Sequence, residues 1–334
     1  MLTLRTSQIE LEPCHEVAVD IIILDWNRPE DTILAIKSAL AQRGVARRVW
    51  VVDQGSQPAH QDRLGAFCDT QPEVFVHWLD HNVGVAAGRN LATTLGRAPY
   101  VVSLDNDAVF DDAHCVARAV ARMEREPQLG ALAFRIIDAD TRSDEAFWDY
   151  PHRLRESGLP RFAVTRFLGG GHILRRTAFE AAGRYDERLF FCGEERDIAW
   201  RMIGLGYRLR LERDLTVVHR SVATSKLRWS GARFYYLARN TLYINHKFGA
   251  GTWGFVRGAA GFMLRGVRHR LIYATLRGIA HAAWMSLAFS LRGANKRAYH
   301  LSAQARHYIT KTDQTRSEPL RVRIKRALQP LPPV

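Results

Sequence analysis

Four short apolar runs, each followed at once by an acidic side chain, most constrain how this chain of 334 residues can fold. The runs are VDIIIL at 19–24, VWVV at 49–52, VFVHWL at 74–79 and YVVSL at 100–104. They are rich in β-branched and aromatic residues, which suit a pleated, buried surface. Between the first two, RPEDTILAIKSALAQRG has helical periodicity, with Pro29 early and Gly44 at its end. Helical stretches near 85–95 and 112–126 follow the third and fourth runs. Strands alternating with helices predict a mostly parallel sheet covered on both faces. In such sheets ligands bind beyond the carboxyl ends of the strands. There the chain carries Asp25-Trp26-Asn27-Arg28, Asp53-Gln54-Gly55-Ser56, Asp80-His81-Asn82 and Asp105-Asn106-Asp107. A purely structural sheet has no need of polar groups after four successive strands, and one shared site is the simpler explanation.

Past residue 165 the pattern looks antiparallel: TRFLGGGHILRR, a short helix near 177–182, a helix EERDIAWRMIGLG, then RLRLE and LTVVH as two strands. From 227 onward the chain reads as basic helices. Residues 205–334 hold 24 Lys and Arg against 4 Asp and Glu, whereas residues 1–204 hold 24 against 30. The net charge of +14 therefore belongs to the second half, and no acidic residue occurs from 215 through 312. Such a segment attracts phosphate-bearing partners, while the first half keeps the carboxylates that a metal site needs.

Asp105-Asn106-Asp107 leaves a strand at a turn where two carboxylates spaced by one residue can approach one hard divalent cation and bridge it to phosphate. The helix EERDIAWR offers Glu194, Glu195 and Asp197, of which Glu194 and Asp197 share a helical face. Gly169-Gly170-Gly171 lets the backbone approach a ligand or turn sharply. Four cysteines lie far apart at 14, 68, 115 and 192, with no paired spacing of a zinc site or a disulfide framework.

In order along residues 17–248, VDIIILDWNR, VWVVDQGS, HNVGVAAGRN, SLDNDAVF, FLGGGHILRRTAFEAAGRYDERLF, GEERDIAWR and LTVVHRSVATS together resemble the family 2 glycosyltransferases. The resemblance implies an α/β fold of GT-A type: a mostly parallel, Rossmann-like nucleotide-binding sheet flanked by helices, a smaller antiparallel section and a basic helical C-terminal region. It implies a catalytic domain over 1–226, with a nucleotide-sugar half at 17–110 and an acceptor half at 111–226, followed by the basic region at 227–334. Asp53 is then the carboxylate that reads nucleobase or ribose. Asn27, Arg28, Gly84, Arg89, Asn90 and Asp105 are the other donor-binding candidates. Asp105, Asp107 and His219 are the expected ligands of Mn²⁺ or Mg²⁺, the imidazole favouring Mn²⁺. Where the family carries Glu-Asp, this chain has Glu194-Glu195, so the base that takes the acceptor proton is Glu195, with Glu194 and Asp197 as alternatives.

The implied reaction is inverting, metal-dependent transfer of a sugar from a UDP- or dTDP-sugar to a hydroxyl of a glycan or lipid-linked acceptor, such as a surface-polysaccharide precursor. Two other classes share features with this chain. A sugar-phosphate nucleotidyltransferase would show a glycine-rich, lysine-bearing loop near the first strand, which LDWNRPED lacks. A nucleic-acid-binding protein would explain the charge but not the carboxylates, and no nucleic acid is expected. The first sixteen residues have no basic start, apolar centre and cleavage site of a secretory signal, which predicts a cytoplasmic location. In the basic half the longest uncharged run, 278–291, has 14 residues, short of the roughly 20 needed to span a bilayer. Aromatic positions interleaved with arginines there predict either peripheral contact with an anionic membrane at its inner face or helices packed on the catalytic domain.

Overall fold

The computed structural model describes residues 18–144, 150, 154, 157–220, 231–291 and 299–314. The expected boundary at 226/227 and the SVATS stretch lie outside the described residues. Strands β1 (Val19–Asp25), β2 (Arg47–Gln54), β3 (Val74–Leu79) and β4 (Tyr100–Asp105) pair in parallel in the order β3-β2-β1-β4. Successive side chains on a strand point to opposite faces. Ile21, Ile23, Val49 and Val51 therefore meet Ala35 and Ile36 of helix α1 (Pro29–Leu40) and Leu64 of α2 (Pro58–Cys68). Ile22, Val52 and Val101 face the other way, onto Ala92 of α3 (Val85–Leu95). Cover on both faces explains why β1 reads as one apolar run. Helix α1 begins with Pro29 in its first turn, has Glu30 and Asp31 beside its positive end and Lys37 in its last turn.

After β4 the sheet continues without a break. The added strands are β5 (Ala108–Phe110), β6 (Leu129–Asp138), β7 (Arg161–Val164), β8 (Gly171–Arg175) and β9 (Arg208–His219), with α4 (Cys115–Arg125) between β5 and β6. β8 runs antiparallel between β4 and β6, β9 lies parallel to β6, and β5 and β7 both pair antiparallel with β9. The expected antiparallel section is present, woven into one nine-stranded sheet. One expectation is corrected here. RLRLE and LTVVH are a single strand, whose pairing slips where Glu212 and Thr216 lie opposite Phe134 and Arg135. That irregularity bends the strand and is what looks like a break in sequence.

Beyond α5 (Arg176–Ala181) and α6 (Glu194–Gly204), the described chain ends in α7 (Gly231–Lys247), α8 (Gly251–Arg268), α9 (Ile272–Leu291) and α10 (Ala303–Gln314). Tyr243, Ile244, Met285 and Ile309 from three of these join Leu174, Phe179, Ile198 and Met202 in one core against the sheet. A buried ion cluster ties α6 to α7. The Lys247 ammonium, fully enclosed, lies 2.6 Å from both Asp186 Oδ2 and Asp197 Oδ1, and Arg201 reaches Asp197 Oδ2 at 2.6 Å. Burial opposes the charge on Lys247, but Asp197 and Asp186 outweigh it and keep the ammonium protonated. Removing one partner of a buried ion pair leaves uncompensated charge, which costs about 3–5 kcal/mol. Lys247→Met is therefore expected to lower unfolding stability by about that amount in urea titration; a loss below about 1 kcal/mol, the usual worth of a surface pair, would show the cluster is solvated.

Candidate active site

The parallel register brings the strand ends to one edge. Asp25 pairs with Asp53 across β1 and β2, and Leu24 pairs with Asp105 across β1 and β4. Beyond that edge lies a cleft of about 620 Å³, within the usual range for small-ligand sites, walled by Asp25, Arg28, Gln54, Arg89, Asp105 and Asp107 and closed by Phe190, Phe191, Arg233, Tyr236 and His219. Asp25 is buried, which raises its carboxyl pKa, while hydrogen bonds from Thr32 and Asn106 oppose the shift.

The turn after β4 is held from both sides. β5 begins at Ala108, whose cross-strand partner on β9 is His219, so the residue before it, Asp107, meets the imidazole. His219 Nε2 lies 3.1 Å from Asp107 Oδ1, and the Arg28 guanidinium donates to Asp107 Oδ2 at 2.8 Å. Burial works against the Asp107 charge, but the His219 hydrogen bond and the charges of His219 and Arg28 outweigh it and pull its pKa down to about 2. Asn27 accepts from the Gln57 amide at 2.8 Å and donates its own backbone N–H to Ser56, so it shapes the loop beneath Arg28. Asp53 lies below the cleft and is fully buried. Its Oδ1 accepts from the Ser56 amide and from Gln61, whereas Oδ2 accepts no hydrogen bond among the described residues.

Arg89 stands at the centre. Its guanidinium donates at 3.0 Å to each of Asp105 Oδ1, Glu195 Oε1 and the Gly169 carbonyl, and Glu194 lies 3.6 Å away. It is 3% exposed and cross-links the turn after β4 to the start of α6. The close approach depends on Gly169, since a Cβ there would sit 2.6 Å from Glu195 Oε1 and 2.7 Å from Arg89. Gly84 opens α3 at φ +88°, and a Cβ on it would stand 2.5 Å from the Phe190 ring.

Two expected site residues lie elsewhere. Asp197 is fully buried and spent on Arg201 and Lys247, on the face of α6 turned away from the cleft, which removes it as a base candidate. Asn90 sits behind the cleft wall, donating to the Tyr185 carbonyl and to Glu187 and accepting from the Tyr185 amide, so its amide braces the fold instead of facing a ligand. Sequence reasoning missed Phe190, Tyr236 and Arg233. Phe190 stacks on Tyr236 with ring centroids 5.3 Å apart, and only the DERLFF stretch beside the EERD helix start hinted at it.

Residues 20–183 match the family model described as glycosyl transferase family 2. The matched residues, just under half of the chain, are similar to glycosyl transferase family 2. The chain is 30% identical over 181 residues to the pre-mycofactocin glycosyltransferase of Mycobacterium tuberculosis, a match covering 52% of this chain and 37% of that protein. It is 35% identical over 155 residues to the succinoglycan biosynthesis protein ExoO of Rhizobium meliloti, covering 45% of this chain and 43% of that protein. Both matches span under half of those relatives' own length. Among solved structures, the mannosyltransferase PcManGT of Pyrobaculum calidifontis, in complex with GDP-Man and Mn²⁺, superposes with a TM-score of 0.55 at 16% identity, covering 96% of this chain and 90% of that one. The fold is thus of GT-A type.

Glu194 is 2% exposed, and its Oε2 has no hydrogen-bond partner among the described residues. Burial first, then the charge of Glu195, raises its pKa well above the ordinary carboxylate value, and Arg89 offsets only part. A folded-state pKa above the unfolded one means stability is full below the unfolded value of about 4.3 and is lost as pH rises from there. Glu194→Gln escapes that loss. Urea denaturation across pH is expected to show wild type and variant converging near pH 4 and the variant increasingly favoured toward neutrality; a pH-independent difference would contradict the shift.

Proposed function

We propose that this protein transfers a sugar from a nucleoside-diphosphate sugar to an acceptor hydroxyl with inversion at the anomeric carbon. The observation that carries the reading is that Arg89, in the wall of the cleft beside Asp105, holds both Asp105 and Glu195 through one guanidinium. The match to the family model and the GDP-Man and Mn²⁺ bound by the mannosyltransferase neighbour support it. Asp53, with one unshared buried oxygen, is suited to accept from a nucleobase or ribose.

The donor set fits a divalent cation. Asp107 is ionised at neutral pH, His219 offers a ring nitrogen beside it, and Asp105 brings a second carboxylate at the same turn. Mixed oxygen and imidazole ligation suits Mn²⁺. Among the described residues no group of three or more His, Cys, Asp or Glu is placed to hold a metal alone, so phosphate oxygens and water would complete its coordination. When bound, such an ion neutralises charge on the departing diphosphate. Arg28, paired with Asp107, stands ready to contribute to the same neutralisation.

Glu195 takes the acceptor proton. Its side chain is 15% exposed and bonded to Arg89 of the cleft wall, whereas Glu194 beside it is buried. Phe190 and Tyr236 form an aromatic wall that shields the reacting centre from water and presents a flat apolar face to a sugar. The acceptor is a lipid-linked or surface-polysaccharide precursor met at the cytoplasmic face of a membrane; the similarity to the succinoglycan biosynthesis protein favours a polysaccharide product.

Calorimetric titration with UDP-, dTDP- and GDP-sugars is expected to show one donor class binding in Mn²⁺ and losing affinity with chelator, and Asp107→Ala should abolish the metal dependence. Equal affinity with and without metal would remove the cation from the account. Glu195→Gln is expected to cut turnover by roughly 10² to 10⁴ with donor affinity near wild type. Full activity in that variant with collapse in Glu194→Gln would move the base to Glu194.

A further inference from the structure

Helices α8 and α9 are apolar on the wrong side as well as the right one. Their inner faces pack as expected: Phe262 and Ala282 meet Phe234, Ala238 and Leu242 of α7, and Gly278 lies against the Tyr235 carbonyl. Their outer faces should then be polar. Instead Trp253, Val256, Leu264 and Val267 recur along α8 at the spacing of one helical stripe, with Trp253 and Leu264 each 75% exposed. On α9, Tyr273, Leu276, Trp284, Leu287 and Leu291 do the same, with Tyr273 78% and Leu291 77% exposed. Gly266 of α8 packs on Thr275 of α9, so the two helices form one hairpin and the stripes belong to neighbouring elements.

We propose that the outer face of the α8–α9 hairpin is a docking surface for an anionic lipid bilayer. Large contiguous apolar exposure marks a partner surface, and the charge around it says which kind. Arg257, Arg268 and Arg270 border the stripes, Arg265 and Arg277 lie over Phe262 and Tyr235 at their inner edge, and neither helix carries an acidic residue. A second copy of the chain on this face would set arginine against arginine with no acid on these helices to answer it. A bilayer with anionic headgroups accepts both features at once, taking the apolar stripe into the acyl boundary and the guanidinium groups at phosphate level. Tryptophan and tyrosine, apolar bodies with one polar atom, are suited to that depth. No helix among the described residues is long and apolar enough to cross a membrane, so the hairpin lies in the interface plane. The proposal deepens the membrane-face reading of the acceptor, yet it stands on this surface alone.

Sedimentation of the full chain with vesicles of phosphatidylcholine, alone or mixed with phosphatidylglycerol, tests it. Binding is expected to rise with the phosphatidylglycerol fraction and to weaken as salt is added. Leu264→Ser with Trp284→Ser, two exposed positions whose replacement leaves the core untouched, should lower binding at least about tenfold, the order expected when buried apolar area is lost. Arg257→Gln with Arg268→Gln should flatten the salt dependence. Nucleoside-diphosphate release in the absence of vesicles is expected to stay at the wild-type level in both variants, so failure of the docking surface and failure of the sugar-transfer reading are read separately. Binding indifferent to lipid charge and to these substitutions would overturn the proposal. So would self-association in solution that the same substitutions abolish, without vesicle binding; that outcome assigns the face to a second copy.

Discussion

The buried guanidinium of Arg89 is the constraint on which the site depends. A desolvated cation survives only where carboxylates surround it in good geometry, and here Asp105 and Glu195 do so from two different elements. Arginine suits the position because its planar fork satisfies several acceptors in fixed directions, which an ammonium cannot do. The bond to the Gly169 carbonyl adds the strand entering β8 to the same node. The turn after β4, the Gly169 loop and the first turn of α6 are therefore fixed relative to one another by a single side chain on α3.

The second constraint comes from the basic half. Phe190 and Cys192 have positive φ of 55° and 70°, which costs energy in residues with side chains and persists only when the surroundings enforce it. Asn240 of α7 supplies that enforcement, its amide donating to the carbonyls of Leu189, Phe191 and Cys192 at 2.6–2.8 Å. Arg239 adds bonds to the carbonyls of Arg188 and Leu189. The loop so held presents Phe190 to the cleft and takes the Val85 amide onto its own carbonyl at the start of α3. Helices α8 and α9, which carry the outward apolar stripes, pack on the same α7 that holds this loop at the cleft.

Much of this was legible in the sequence, and the exceptions have physical causes. The parallel half follows from β-branched runs with acids after them, because strand ends in a parallel sheet must share an edge. Asp107 and His219 were recognisable as polar residues after strands, but their contact depends on β5, a three-residue strand too short to leave a period. β6 is a continuous apolar run that periodicity alone does not separate from a buried helix. Asp197 shares a helical face with Glu194 in the pattern, yet its role is set by Lys247, fifty residues on, and no local signal predicts that pairing. The cross-linking role of Arg89 is hidden for the same reason: all its partners are remote in sequence.

The most direct test of the account is turnover of Arg89→Lys, measured as nucleoside-diphosphate release from the preferred donor, with folding checked by near-ultraviolet dichroism. Lysine keeps the charge but not the fork, so the fold is expected to persist while turnover falls by about 10², the scale of a 1 Å misplacement of catalytic groups. A folded Arg89→Lys protein with turnover close to wild type would show that Asp105 and Glu195 are positioned independently, and the single-node account would be wrong.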